Sequence, residues 1–316
     1  MSGGLVTLGE TMGLVTQNQP GSLRNGEPMT FGMGGSESNV AIGVRRLGLP
    51  ATWIGRLGAD APGHLIAREL RAERVRAITV SDAAPTGLMM RWRPSGAHAR
   101  VTYYRHDSAG SHLQPGDIPD DVVRPAAVLH VTGITLALGP GPAATVAHAV
   151  AVARAAGVTV SLDLNYRLAL WSEEEAAPAL AAAVGQADVV FAGEAEAEIV
   201  THTADALHAA RALEAMMPAR SAQVLIKRGS HGCLARVDGA TIEQAAPTVT
   251  VVDTVGAGDA FVAGYLAELI TGADPRERVR TACAAGAFAV TVSGDWEGMP
   301  DRRALALLEA TEPVIR

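Results

Sequence analysis

Between residues 127 and 227 short apolar runs alternate with longer, alanine-rich segments, and this alternation constrains the fold more than any other feature of the chain. Runs at 127–131, 158–162, 188–191 and 223–227 read as strands, and segments at about 141–156, 173–185 and 204–217 read as helices. A strand that returns to its sheet through a helix runs parallel to its predecessor. The pattern therefore predicts βαβ units and an α/β fold with a central, mostly parallel sheet flanked by helices. Ligands of such sheets bind beyond the carboxyl ends of the strands, so the residues closing those strands are the first candidates for chemistry.

The other segments fit around that frame. An apolar run at 4–10 opens the sheet, an amphipathic stretch at 38–47 forms a helix stopped by Gly48, and 52–55 is a short strand. Residues 12–32 carry Asn18, Gln19, Pro20, Gly21, Asn25, Gly26 and Pro28, which suit small strands and turns. Two more short strands, 88–93 and 100–105, are joined through Pro94, Ser95 and Gly96 and can pair with 12–32. Short strands within 232–244, a strand at 249–252 and helices at 258–271 and 276–293 complete the chain. We expect a single domain over 1–316, with 12–32 and 85–113 forming a small β lid.

Composition excludes several classes. Of 316 residues 48% are hydrophobic and 19% charged, too apolar for disorder. With 26 Lys and Arg against 33 Asp and Glu, the net charge of −7 provides no global attraction to nucleic acid or anionic membranes. Cys233 and Cys283 lie far apart, which excludes a cysteine-based zinc site and suits a reducing compartment. The first 12 residues lack a signal-peptide pattern, and no uninterrupted run of 18 apolar residues occurs. The expectation is a cytoplasmic protein without nucleic-acid or membrane partners.

The strongest local signal is Asp253-Thr254-Val255-Gly256-Ala257-Gly258-Asp259, read as a glycine turn between a strand and a helix. Helix N-termini present unpaired N–H groups and partial positive charge, so Gly256, Ala257 and Gly258 can cradle a transferring phosphoryl group. Asp259, in the first turn, can accept a proton from an attacking hydroxyl or can simply complement the helix dipole. Gly34 and Gly35 permit backbone approach to a sugar, and Asn39 offers a donor and an acceptor; a tight turn with an N-cap is the other reading. No Walker loop and no Gly-x-Gly-x-x-Gly after the first strand occur, which removes the main support for a P-loop kinase or an NAD dehydrogenase.

The string around Asp259 resembles the C-terminal signature of the PfkB, or ribokinase-like, sugar kinases. Gly34-Gly35-Ser36-Glu37-Ser38-Asn39, followed by Arg46-Leu47-Gly48 and Gly55-Arg56-Leu57-Gly58-Ala59-Asp60, resembles the N-terminal signature of the same family. The resemblance spans nearly the whole chain. It implies a ribokinase-like fold, with Asp259 as base and Gly256, Ala257 and Gly258 as the anion hole. It places Gly34, Gly35, Ser36 and Asn39 at the sugar, and Asn165, Lys227, Gly229, Gly232, Gly256 and Gly258 at ATP. The bland reading of 227–232 is a solvated basic hairpin. Gly193-Glu194-Ala195-Glu196 is similar to the family's Asn-x-x-Glu element, with glycine where asparagine is usual; Glu196 is then a water-mediated Mg²⁺ organiser or merely an acidic helix start. The family also admits a potassium ion near the turn and a homodimer or higher homo-oligomer.

Three segments, Tyr103-Tyr104-Arg105, Asp163 to Trp171 and Gly294 to Pro300, resemble the 2-keto-3-deoxygluconate kinases within the family. This resemblance implies ATP-dependent phosphorylation of the terminal hydroxyl of that sugar acid or a relative. Arg105 and Arg167 can grip a carboxylate, Tyr103 and Met89 line the substrate, and Asp253 orients the substrate or the glycine turn. Plainer roles are an exposed charge for Arg105 and a pair with Asp163 for Arg167. Met89 stands where tyrosine is common, so one lid hydrogen bond is missing. Alternatives are a kinase of fructose, ribose, a nucleoside or a deoxy-inositol breakdown product, or a noncatalytic sensor on the same fold.

Overall fold

The computed structural model describes residues 3–95, 98–218 and 222–308; Gly96, expected in the turn joining two short strands, lies outside them. Thirteen strands are present among the described residues: β1 Leu5–Leu8, β2 Met12–Gln17, β3 Met29–Gly34, β4 Ala51–Gly58, β5 Arg76–Asp82, β6 Leu88–Ser95, β7 His98–Tyr104, β8 Val128–Thr132, β9 Thr159–Asp163, β10 Val189–Gly193, β11 Gln223–Lys227, β12 Cys233–Val237 and β13 Ala240–Gln244. Nine form one sheet in the order β13-β12-β11-β10-β9-β8-β1-β4-β5. It is parallel from β11 through β5, with β12 and β13 added antiparallel. This is the predicted α/β frame. Its central strands are buried along nearly their whole length, as in a sheet covered on both faces. One core cluster fills the side of helices Pro140–Ala155, Glu173–Val184 and Ala206–Met216. The other lies beneath helices Ser36–Arg46, Ala257–Thr271 and Pro275–Ala289.

The two early excursions form a second, four-stranded sheet, β3-β2-β6-β7. β2 pairs parallel with β6, so residues 12–34 and 88–104 do pair. Its register places Leu14 beside Met89 and Met89 beside Tyr103 on one face.

Three features depart from or add to the sequence reading. Helix Ala61–Ala72 and β5 were not anticipated, although Asp60 caps the Gly63 N–H at 2.9 Å with proline in the first turn, which is an N-terminal signal. Residues 249–252 are not a strand. The N–H groups of Val252 and Asp253 both donate to Val290 O, at the end of helix Pro275–Ala289, while Val249 and Val251 line a cavity. Their apolar character serves that cavity rather than a sheet. Helix Glu194–Thr201, named in the sequence only as an acidic helix start without a span, follows β10.

Arg56, within the first signature, is a frame residue. Its guanidinium donates to Asp117 at 2.6 and 2.9 Å and to Asp82 at 2.8 Å, tying β4 and β5 to the segment before β8. Burial opposes ionisation of Asp82, but the Ala84 N–H, Arg56 and His112 hold its carboxyl down at about 2. Arg56→Met leaves two largely buried carboxylates without their guanidinium partner. It is expected to cost about 3 kcal/mol in urea unfolding; a change below about 0.5 kcal/mol would remove Arg56 from the frame.

Candidate active site

The carboxyl ends of β8, β9, β10 and β11 deliver Thr132, Asp163, Gly193 and Lys227 to one edge of the large sheet, facing the N-terminus of helix Ala257–Thr271 and the inner face of the second sheet. Gly256 precedes that helix with φ +76°, and a Cβ there would lie 2.0 Å from the Asp295 carbonyl oxygen, so the turn needs glycine on both counts.

Asp259 stands in the helix's first turn. Ser36 Oγ donates to its Oδ1 at 2.7 Å and Asn39 Nδ2 to its Oδ2 at 2.8 Å, so residues more than two hundred positions apart hold one carboxylate. Asn165 Nδ2 donates to Ser36 Oγ at 2.7 Å, completing a chain of three side chains behind it. Burial pushes the Asp259 carboxyl up from its ordinary range despite the Ser36 and Asn39 bonds.

Two cavities meet at this turn. A polar one of about 470 Å³ is lined by Gly34, Gly35, Ser36, Asn39, Met89, Tyr103, Arg105, Asn165, Arg167, Glu196, Gly256 and Asp259. A more apolar one of about 510 Å³ is lined by Gly229, Gly232, Ala257, Phe261 and Val290. Lys227, Thr254 and Gly258 line both. Lys227 Nζ donates to both oxygens of Asp163 at 2.8 Å. Burial pulls its pKa down, but Asp163, Glu196 and Asp259 more than offset this, so it stays charged where the cavities join.

The structure relocates some expected residues. Asn165, expected beside ATP, lines the polar cavity and bonds Ser36. Asp253 lines neither cavity; it takes Arg91 at 3.3 Å, Arg93 at 3.0 Å and the Val255 N–H at 3.2 Å, on the side of the glycine turn, one of the two positions expected for it. Arg105 is not an exposed charge. Its Nε donates to Glu10 at 2.8 Å, Nη2 meets the same carboxylate, and Ser108 Oγ donates to Glu10 at 2.5 Å, so the bidentate grip expected on a ligand is made internally. Arg167 does not pair with Asp163, whose partner is Lys227; it is exposed at the cavity, bonded to the Tyr166 carbonyl. Glu196 lines the cavity but accepts the Gly193 N–H at 2.6 Å as a helix cap, the service that glycine at 193 leaves to it.

Sequence reasoning missed Glu10, Arg91 and Asp295 as cavity residues. Asp295 was quoted only within a resembling segment, and nothing in its spacing places it opposite Gly34. No group of three His, Cys, Asp or Glu poised to hold a metal exists among the described residues. None of their helices is long and apolar enough to cross a membrane.

The pfkB family carbohydrate kinase model matches residues 3–302. The chain is 34% identical over 314 residues to the 2-dehydro-3-deoxygluconokinase of Bacillus subtilis, covering 95% of this chain and 94% of that one. It is 32% identical to the 2-dehydro-3-deoxygalactonokinase of Haloferax volcanii, covering 93% of each. The crystal structure of fructokinase with bound ATP from Xylella fastidiosa superposes with a TM-score of 0.84 at 25% identity, over 96% of this chain and 97% of that one.

Burial raises the Asp295 carboxyl to about 7, against an ordinary 3.8. Between those values the folded chain holds a proton that the unfolded chain has lost, so this group makes stability fall as pH rises from about 4 to 7. Asp295→Asn is expected to flatten that slope in thermal melts across the window; an unchanged slope would contradict the assignment.

Proposed function

The chain belongs to the pfkB family of carbohydrate kinases, and we propose that it transfers the γ-phosphoryl group of ATP to the terminal hydroxyl of 2-keto-3-deoxygluconate or a closely related sugar acid. The observation that carries this reading is the half-buried Asp259 carboxylate, fixed by Ser36 and Asn39 at a helix N-terminus where two cavities meet. In it, Asp259 removes the hydroxyl proton as the sugar oxygen bonds to the γ-phosphorus and the bridging oxygen leaves with ADP. The N–H groups at Gly256 to Gly258 and the Lys227 ammonium take up charge on the transferring group. The nucleotide occupies the apolar cavity along Gly229 and Gly232, and the sugar the polar one.

The donors present suit Mg²⁺ carried in by the phosphates rather than a protein cage, since Asp163 is committed to Lys227 and Glu196 spends one oxygen on the Gly193 N–H, leaving the other for a water-mediated contact. When bound, the ion offsets phosphate charge, and Glu196 would hold it through water. A potassium ion near the turn remains part of the proposal, with no residue assigned to it. Arg167, uncommitted to any carboxylate, is the principal ligand for the sugar's own; Arg105, steadied by Glu10, flanks it with its remaining nitrogen. The second sheet serves as the lid, excluding water from the transfer. Its exposed Phe31, Val101 and Tyr104 suit a second subunit, and the work is cytoplasmic.

A neutral-sugar kinase is the second reading, favoured by the internal engagement of Arg105 and by Met89 in place of tyrosine. The test is ADP release with ATP and 2-keto-3-deoxygluconate, its galactonate epimer, fructose, ribose and adenosine. Turnover confined to the keto-deoxy acids is expected; turnover of a neutral sugar alone would discard the acid-sugar reading and keep the kinase. Asp259→Asn should lower kcat by about 10²- to 10⁴-fold with nucleotide binding kept. The acid limb of kcat/KM should lie above 3.8, because Asp259 must be ionised and burial raises its pKa. Turnover independent of Asp259 would remove it as base.

A further inference from the structure

Glu37 is fully buried, yet nothing in the proposed transfer uses it. It shares the first turn of helix Ser36–Arg46 with Ser36 and Asn39, the two residues that hold Asp259. Its Oε1 accepts two hydroxyls, Thr132 Oγ1 at 2.6 Å and Thr135 Oγ1 at 2.5 Å, from the end of β8 and the helix Gly133–Ala137. Thr132 in turn caps that helix, accepting the Ile134 N–H at 3.1 Å. Room for the carboxyl exists only because residue 9 is glycine; a Cβ there would lie 2.4 Å from Glu37 Cδ. Oε2 has no hydrogen-bond partner, and no Lys, Arg or His pairs with the group among the described residues.

We propose that Glu37 is a positioning residue that works as a neutral carboxylic acid: it anchors the Ser36–Asn39 turn to β8 and so fixes the Asp259 carboxylate, without adding a second anion behind the base. The proposal rests on Asp259 being the base. A carboxylate in this place would satisfy two hydroxyls on one oxygen and leave the other as a bare buried charge, an arrangement far more costly than the neutral acid. Burial accordingly pushes the Glu37 pKa up, more than the two threonine hydroxyls and its own backbone N–H lower it, and the charge of Asp259 adds to the rise. The nearby buried imidazole on β8, His130, is held neutral by burial at about 3 and bonds Ser161, so it supplies no compensating cation. Neutrality matters to Asp259: an ionised Glu37 would raise its pKa further and withdraw base at neutral pH.

Glu37→Gln and Glu37→Leu separate anchoring from charge. Glutamine keeps the accepting oxygen and is neutral, so kcat should stay within about threefold and the acid limb of kcat/KM should not move. Leucine removes the acceptor; kcat should fall about 10- to 100-fold, with KM for ATP unchanged, because a small misplacement of the base costs this much. Thr135→Val, which deletes one of the two donors and conserves volume, should lower kcat in the same sense and guards against a leucine variant that fails to fold. A lowered acid limb in Glu37→Gln would mean that the group is ionised, and full kcat in both Glu37→Leu and Thr135→Val would mean that it anchors nothing; either overturns the proposal. If Asp259→Asn, run alongside, kept its turnover, the base assignment itself would fail and this proposal with it.

Discussion

Everything at the site depends on one half-buried anion. A carboxylate taken out of water is tolerated only where hydrogen bonds and dipoles replace the lost solvent, and Asp259 obtains them from two ends of the chain at once. Ser36 and Asn39 come from the first helix, and the positive end of a helix dipole comes from its own. The two helices that supply these groups pack against each other over the same core cluster. The fold's long-range order is thus set by apolar packing, while the accuracy of the site is set by two hydrogen bonds that form only if that packing is correct.

The same economy governs the junction between the cavities. Lys227 ends β11 and Asp163 ends β9, with β10 between them, so their ion pair reaches across a strand at the sheet's carboxyl edge. Such a pair contributes little net stability once desolvation is counted. What it provides is an ammonium held at a fixed point on the boundary of both cavities, where the charge of a passing phosphoryl group would lie.

The frame was legible because parallel strands separated by helices leave a long periodic trace, and the glycine turn was legible because its residues are contiguous. What escaped was assembled across distance. Residues 249–252 have the composition of a strand, but their hydrogen bonds go to a helix end, a choice made by tertiary contacts that periodicity does not record. Arg105 carries the charge expected of a ligand-gripping residue, yet only the structure reveals Glu10, 95 positions away, on its fork. Arg91 and Asp295 gave no local signal at all, since each acquires meaning only from the other elements that surround it. Sequence reading found the residue types that the chemistry needs and was weaker on which of them are already committed.

Those commitments explain why the second sheet is more than a cover. Arg91 and Arg93 on β6 meet Asp253 just before the glycine turn, Arg91 also approaches Asp295 at 3.7 Å, and Arg105 beyond β7 meets Glu10 beyond β1. Every one of these contacts joins the small sheet to the large frame, and Glu10, Arg91, Arg105 and Asp295 line the polar cavity. Between the guanidinium groups the inner face is apolar, with Met12, Leu14 and Met89 buried together and Tyr103 packed on them. Apolar surface there has no directional preference of its own, so the charged contacts at its margins fix where the sheet sits. A change in the sheet's position must therefore alter the surroundings of Asp253 and, through it, the turn that presents Gly256 to Gly258.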